Sequence, residues 1–198
     1  MDFDATQTSR SRLIWAGKML FARSGYEQTA TSAIARKAGT SESQLVRYFG
    51  GKAGLLEAIF NESWRPLNEA IEEVMTKAPN ARDALLGVLS ALIQSFGEDR
   101  DAAFLLLFEG RRVRASGPEI QLSEGFSRFT ELLRTLVNRG QRDGTFSKKF
   151  NDTAIVSGLM GAAEGMVRDR FTNERAGQPA AVSDKDIRAI LGAFIESL

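Results

Sequence analysis

Cysteine and histidine are both absent from the 198 residues. Without thiols there is no disulfide framework, thiolate zinc site, iron–sulfur cluster or cysteine nucleophile. Without imidazole, Ser-His-Asp catalysis, His-ligated metals and a histidine pH switch are excluded as well. Carboxylates, lysines, hydroxyls and oxygen-ligand metals remain, and none of them forms a motif; we expect no catalytic residue, no cofactor and no metal. Long apolar runs are also missing. The longest, such as residues 102–108, fall far short of the twenty or so needed to span a bilayer. Residues 1–12 carry Asp2 and Asp4 and no apolar stretch, so neither a secretory signal nor an anchor is expected. A cytoplasmic protein that does not engage membranes fits this pattern. Charge of one sign is not in excess either: 26 Lys and Arg against 25 Asp and Glu give a net of +1, which alone points to no polyanionic partner.

Only four prolines occur, at Pro66, Pro79, Pro118 and Pro179, and apolar residues do not alternate with polar ones over a strand's length. The chain therefore reads as all-α, with about nine helices. Leu13, Ile14, Gly17, Leu20 and Phe21 fall at helical spacing before Gly25, which is placed to end the first helix. A hydroxyl cap from the Thr29-Ala30-Thr31 stretch is expected for a short second helix holding Ile34, Ala35 and Ala38. Ser41 with Gln44 reads as a capping box for a short third helix ending near Phe49. A long periodic stretch follows from Lys52, with a kink or fresh start expected near Arg65 because of Pro66. Further helices are expected at about 81–97, 101–115, 118–142, 152–173 and 184–197, joined by turns such as Ser116-Gly117-Pro118.

Two short helices around a tight turn at Gly39 form a helix-turn-helix layout. Ile34, Ala35, Ala38 and Leu45 supply the face that packs on the first helix. Glu42, Ser43, Gln44, Arg47 and Tyr48 supply a protruding face that can hydrogen-bond base edges and phosphates. An ordinary surface turn is the alternative from layout alone.

The stretch Leu13 to Leu56 resembles the DNA-binding domain of TetR-type transcriptional repressors. Leu20-Phe21, Gly25-Tyr26, Thr29, Ile34-Ala35, Ala38-Gly39-Thr40-Ser41, Leu45, Tyr48-Phe49, Lys52 and Leu55-Leu56 carry the likeness in order and at matching spacing. The resemblance implies a three-helix DNA-binding domain over residues 1–52. A helical effector-binding and dimerisation domain would cover 53–198. It implies Thr29 or Thr31, Tyr48 and Lys52 as phosphate contacts, and Ser41, Glu42, Ser43, Gln44 and Arg47 as residues facing bases or adjacent backbone. Arg47 suits guanine, Gln44 adenine and Glu42 cytosine N4. Arg10 and Arg12 would serve as an arm, and Arg36 and Lys37 face solvent or DNA. The chain departs from the family at Val46, where an aromatic residue is usual, and at Ala30, a frequent hydroxyl cap site. Val46 is left to pack or to touch a thymine methyl.

The rest of the chain agrees with the family only in length and helical character. Trp64, Phe104, Phe108, Phe126, Phe129 and Met160 are core residues or, in a TetR-like protein, walls of an effector cavity. Glu109 and Glu164 are candidate polar fixers there, with Arg112 and Gln94 beside them. Gly158, Gly161, Ala162 and Gly165 make a face of small residues, and Ile187, Ile190, Leu191 and Phe194 an apolar stripe. Together they match the two helices that form a four-helix dimer interface in the resembling family; burial inside one subunit is the alternative. The implied function is a ligand-responsive regulator, a repressor that binds a near-palindromic operator of double-stranded DNA as a homodimer. A small apolar or amphipathic effector would release it. The rivals are a small-molecule binding protein with a non-functional helix-turn-helix, and an all-α enzyme using Glu109 or Glu164.

Overall fold

The computed structural model describes residues 8–109, 112–113 and 121–198. Among these are nine α-helices: α1 (Ser9–Ser24), α2 (Thr31–Lys37), α3 (Glu42–Phe49), α4 (Lys52–Lys77), α5 (Ala81–Glu98), α6 (Arg100–Phe104), α7 (Glu124–Asp143), α8 (Asp152–Arg175) and α9 (Asp184–Ser197). A π-helical turn, Leu105–Glu109, continues α6. The all-α expectation holds. Among the described residues its one exception is a two-residue antiparallel ladder in which β1 (Arg112–Val113) pairs with β2 (Gln121–Leu122), Arg112 opposite Leu122.

Backbone contacts divide the chain into two compact units, Met1–Trp64 with Asp99–Phe126, and Arg65–Glu98 with Ser127–Leu198. In the first, α1 is the hub. Its Leu13, Ala16, Phe21 and Ala22 are buried, as are Ile34 and Ala38 of α2, Leu45 of α3, and Leu55 and Ile59 of α4. Each fully buried Leu, Ile or Phe stabilises by about 1.5–3 kcal/mol, whereas an exposed ion pair such as Arg10–Glu62 contributes at most about 1 kcal/mol. Apolar packing therefore fixes this unit. Gly17 permits the approach of α1 to α4, since a Cβ there would sit 2.8 Å from Leu55 Cδ2. The segment after Glu98 joins the same unit: Lys18 donates to Asp99, whose other carboxylate oxygen caps α6 by accepting from the Ala102 N–H.

In the second unit α9 lies against α5 and α8, with Leu85, Val88, Leu136, Ile155, Ile187 and Ile195 among the buried side chains. Gly140 of α7 is covered by the Phe146 ring, where a Cβ would fall 2.1 Å from a ring carbon. Arg170 of α8 donates to Asp184 at the start of α9. Ser183 and Asp186 then form a capping box, each side chain accepting from the other's backbone N–H.

Several expectations are corrected. Pro66 lies inside one uninterrupted helix, so there is no fresh start near Arg65, although the division between the two units falls between Trp64 and Arg65. The helix expected at 101–115 leaves regular α geometry after Phe104; apolar residues stop recurring at helical spacing beyond Phe108, and Arg112–Val113 pair as a strand instead. The helix expected from 118 starts at Glu124, because Ser123 supplies the N-cap by accepting from the Phe126 N–H. The turn Ser116-Gly117-Pro118 lies outside the described residues, as does the Arg112 side chain. Ala30 is the N-cap of α2 and provides no side-chain bond. The expected capping box of α3 is half made: Ser41 Oγ accepts from the Gln44 N–H, but Gln44 Oε1 is buried without a partner.

The α9 capping box generates a pH prediction. The hydroxyl of Ser183, then its backbone N–H, hold the Asp186 carboxyl below its ordinary value of 3.8. A depressed native pKa means that the contribution is present above that value and lost as pH falls through the native one. Ser183→Ala should lower stability by about 1 kcal/mol at neutral pH. In urea melts the gap between variant and parent should narrow below about pH 4, to the part due to the Asp186 N–H bond to the Ser183 hydroxyl, which does not titrate.

Candidate DNA interface and apolar cleft

The helix-turn-helix is assembled by hydrogen bonds to backbone. At the turn Gly39 adopts φ 61°, a conformation glycine takes without strain. Arg12 of α1 donates from Nε to Ala38 O at 2.9 Å and from Nη2 to Gly39 O. It thus caps the C-terminal end of α2 and is not a free arm. Arg10 is likewise occupied, paired with Glu62 and set over the Phe49 ring. Both expectations of an arm are corrected, because α1 already begins at Ser9. Beyond α3, Gly50 closes the helix in the left-handed region at φ 71°. The first turn of α4 then comes so close that a Cβ on Gly54 would stand 1.8 Å from Phe49 O.

Lys52 completes this frame. Its ammonium donates to the carbonyls of Tyr26, Glu27 and Thr29 at 3.0, 3.2 and 3.3 Å and sits over the Tyr26 ring. An ammonium has three protons, and all three face protein oxygens, so the phosphate role implied for Lys52 gives way to a clamp on the α1–α2 turn. Thr29 is buried, with its hydroxyl donating to Gly25 O at 2.7 Å. Thr31 donates its one hydroxyl proton to Glu42 Oε2 at 2.5 Å. Neither hydroxyl proton faces solvent, so the expected phosphate donors of α2 are otherwise engaged.

On α3 the face opposite buried Leu45 carries Ser43 and Arg47, flanked by Glu42 and Val46 on one side and Gln44 and Tyr48 on the other. All but Gln44 are exposed. The Arg47 guanidinium lies 5.2 Å from the Tyr48 ring centre, and Ser41 and Ser43 hydroxyls are 2.8 Å apart. Val46, 56% exposed, is an apolar residue on a surface of polar ones. On α2, Arg36 and Lys37 are exposed, Lys37 over the Trp15 ring.

The second unit contains an open apolar cleft. Its walls include Leu85, Val88 and Leu92 of α5, Leu159 and Ala163 of α8, and Ile195 of α9; no polar side chain contributes. Of the residues expected to form an effector cavity, Phe129 and Met160 line it. The others do not. Trp64 and Phe126 are buried against each other in the first unit, ring centres 5.6 Å apart. Phe104 and Phe108 stack there at 4.5 Å. Glu109 accepts from the Tyr26 N–H at 3.1 Å, so it fixes the α1–α2 turn. Glu164, half-buried on α8, is not part of the wall. The aliphatic walls were missed because Leu, Val and Ile at helical spacing give the same signal in a core and in a cavity.

The expected dimer face divides. Gly158, Gly161 and Gly165 are exposed on α8, Ile190 is 56% exposed on α9, and Ala162 and Phe194 are half-buried, the Phe194 ring lying against Gly158. Ile187 and Leu191 are turned into the chain's own interior, and Leu191 belongs to the cleft wall. Among the described residues no helix is long and apolar enough to cross a membrane, and no group of acidic residues is placed to hold a metal.

A helix-turn-helix held by backbone clamps, together with a helical unit enclosing an apolar cleft, defines the class of helix-turn-helix regulators. Residues 13–59 match the family model described as bacterial regulatory proteins, tetR family. The HTH-type transcriptional regulator BetI of Vibrio campbellii is 34% identical over 70 residues, 35% of each chain. The fatty acid metabolism regulator protein of Bacillus subtilis is 21% identical over 185 residues, 92% of this chain and 94% of that one. The crystal structure of the Bacillus subtilis regulator FadR in complex with stearoyl-CoA superposes with a TM-score of 0.82 at 20% identity, over 94% of this chain and 97% of that one. Residues 13–59 are thus similar to the DNA-binding part of tetR-family regulators, and the whole chain shares the fold of such proteins.

Two predictions follow from the frame. Lys52→Met should cost roughly 1–3 kcal/mol of stability in denaturant melts and leave the salt slope of DNA binding unchanged, whereas loss of a phosphate contact would lower that slope by about one. Gly54→Ala should displace α3 and destabilise by about 1–3 kcal/mol, with a parallel loss of DNA affinity in gel-shift titration.

Proposed function

We propose that the chain is a ligand-responsive repressor that binds a near-palindromic operator as a homodimer in the cytoplasm and is released by an amphipathic effector with a long apolar tail. Residues 1–52 would form the DNA-binding part, with effector binding and dimerisation in 53–198. The observation that carries the reading is the exposed face of α3, where Glu42, Ser43, Arg47 and Tyr48 project from a helix capped by Ser41 at its start and Gly50 at its end. The match of residues 13–59 to the tetR family model supports the same use of that face. Two recognition helices about 34–36 Å apart would enter successive major grooves.

The effector class is argued from the cleft. Its walls are wholly apolar, so the buried part of a ligand is hydrocarbon and any polar head stays at the mouth. A fatty acid metabolism regulator and a stearoyl-CoA complex among the similar proteins favour acyl thioesters of coenzyme A. Dimerisation is argued from the exposed small-residue face of α8 beside Ile190 of α9, which allows close helix approach. Release then needs an effector with different affinities for the DNA-bound and free forms, because linkage permits no more than that difference.

The test is selection of bound duplexes from a random DNA library by the purified protein, followed by titration of the recovered duplex with acyl-CoA of increasing chain length. Recovery of an inverted repeat released by long-chain acyl-CoA supports the reading. No enriched sequence overturns it in favour of a binding protein with an idle helix-turn-helix. Arg47→Ala should cost about 1–3 kcal/mol of operator affinity and relax one base preference. Ala163→Phe, which fills the cleft, should abolish release while leaving operator affinity within about twofold.

A further inference from the structure

Resting on the DNA-binding reading, we infer that the flank of α3 carrying Glu42 and Val46 sets sequence specificity. Each half-site would contain a cytosine, read through its N4 amino group by Glu42, and a thymine, read through its methyl group by Val46. The two base pairs lie within about two steps of each other.

Three observations support this assignment. Glu42 is exposed and pinned, because Thr31 Oγ1 donates to its Oε2 at 2.5 Å. One carboxylate oxygen is therefore held and the other is free to accept, with side-chain entropy already lost before DNA arrives. A carboxylate is repelled by phosphate, so in a major groove it is stabilised only against base donors. Cytosine N4 and adenine N6 are the two available, and adenine sets its N7 acceptor beside N6, where it repels the second carboxylate oxygen. Cytosine is thus favoured. Val46 is 56% exposed and follows Glu42 by four residues, on the same face. It has no hydrogen-bonding atom, and the apolar group displayed by a major groove is the thymine methyl. Four residues along a helix span about 6 Å, and base pairs rise about 3.4 Å, which sets the separation. On the opposite flank the buried, unpartnered Gln44 Oε1 does not present the acceptor that a paired contact to adenine requires.

The experiment repeats duplex selection with the parent protein and with Glu42→Gln, Glu42→Ala, Thr31→Val and Val46→Ala, all changes at exposed or half-exposed sites. The parent should enrich an inverted repeat with a cytosine and a thymine so spaced in each half. Glu42→Ala should lose the cytosine preference by about tenfold while keeping repeat spacing and thymine, and Glu42→Gln should move that preference to adenine. Thr31→Val should weaken the cytosine preference alone, as expected of a positioning residue. Replacing the thymine by uracil, which removes only the methyl, should weaken parent binding about fourfold and leave Val46→Ala unaffected. An enriched repeat whose cytosine preference survives Glu42→Ala overturns the assignment of Glu42. Equal sensitivity of parent and Val46→Ala to uracil overturns that of Val46. In both cases operator binding itself stands, whereas failure of the parent to enrich any repeat overturns both readings together.

Discussion

One ammonium group fixes the turn between α1 and α2. Lys52, the first residue of α4, gathers the carbonyls of Tyr26, Glu27 and Thr29, which belong to the turn leading into α2. These oxygens lie where the chain changes direction and no helical N–H reaches them; the Tyr26 oxygen also accepts from the Thr29 N–H within the turn. The same residue would otherwise be an unfavourable cation at a helix N-terminus; surrounded by carbonyl oxygens, it has a compensating negative environment. From the other side Glu109 accepts from the Tyr26 N–H. The donor and the acceptor of one peptide-linked residue are thus held by two different parts of the chain. The position of α2, and through Arg12 the α2–α3 turn, depends on that grip.

The helical class and the helix-turn-helix were legible because they rest on local signals: Gly39 and Gly50 at positions of positive φ, Ser41 at a helix start, Leu45 on the side of α3 opposite its polar residues. The three-dimensional use of charged side chains was not. Arg10, Arg12 and Lys52 read as free cations in sequence because their partners are backbone oxygens, or a carboxylate 52 residues away, and backbone oxygens leave no trace in side-chain patterns. Thr29 and Thr31 present the same problem. A hydroxyl near a helix start reads as a phosphate donor whether its proton is available or, as here, directed to Gly25 O or Glu42.

The apolar cleft shows a second kind of blindness. Aromatic residues are the conspicuous wall candidates in sequence, yet Trp64 and Phe126 are buried against each other in the first unit, Phe104 stacks on an exposed Phe108, and the cleft wall is mostly Leu, Val and Ile. Tilted and stacked aromatic pairs gain from ring geometry as well as from area, which favours aromatics where packing is tight. A wall that receives flexible hydrocarbon has no such requirement. Leu191 makes the point from the opposite direction: its place in an apolar stripe on α9 suggested an outward interface, but α5 and α8 supply facing side chains that enclose it.

The arrangement also constrains how a ligand could alter DNA binding. α4 is continuous from Lys52 to Lys77, so its first turn cannot shift without carrying the Lys52 ammonium relative to the Tyr26–Thr29 carbonyls. Residues 99–109 carry Asp99, bonded to Lys18, and Glu109, bonded to Tyr26. Displacement of either element stretches hydrogen bonds that end on α1 or on the turn after it. Breaking one such charged bond costs about 1.5–3 kcal/mol, comparable to the 1–3 kcal/mol typical of coupling between sites. Under the proposed function, a modest difference in effector affinity between two settings of these elements would be enough to change the placement of α3, with no need to unfold it.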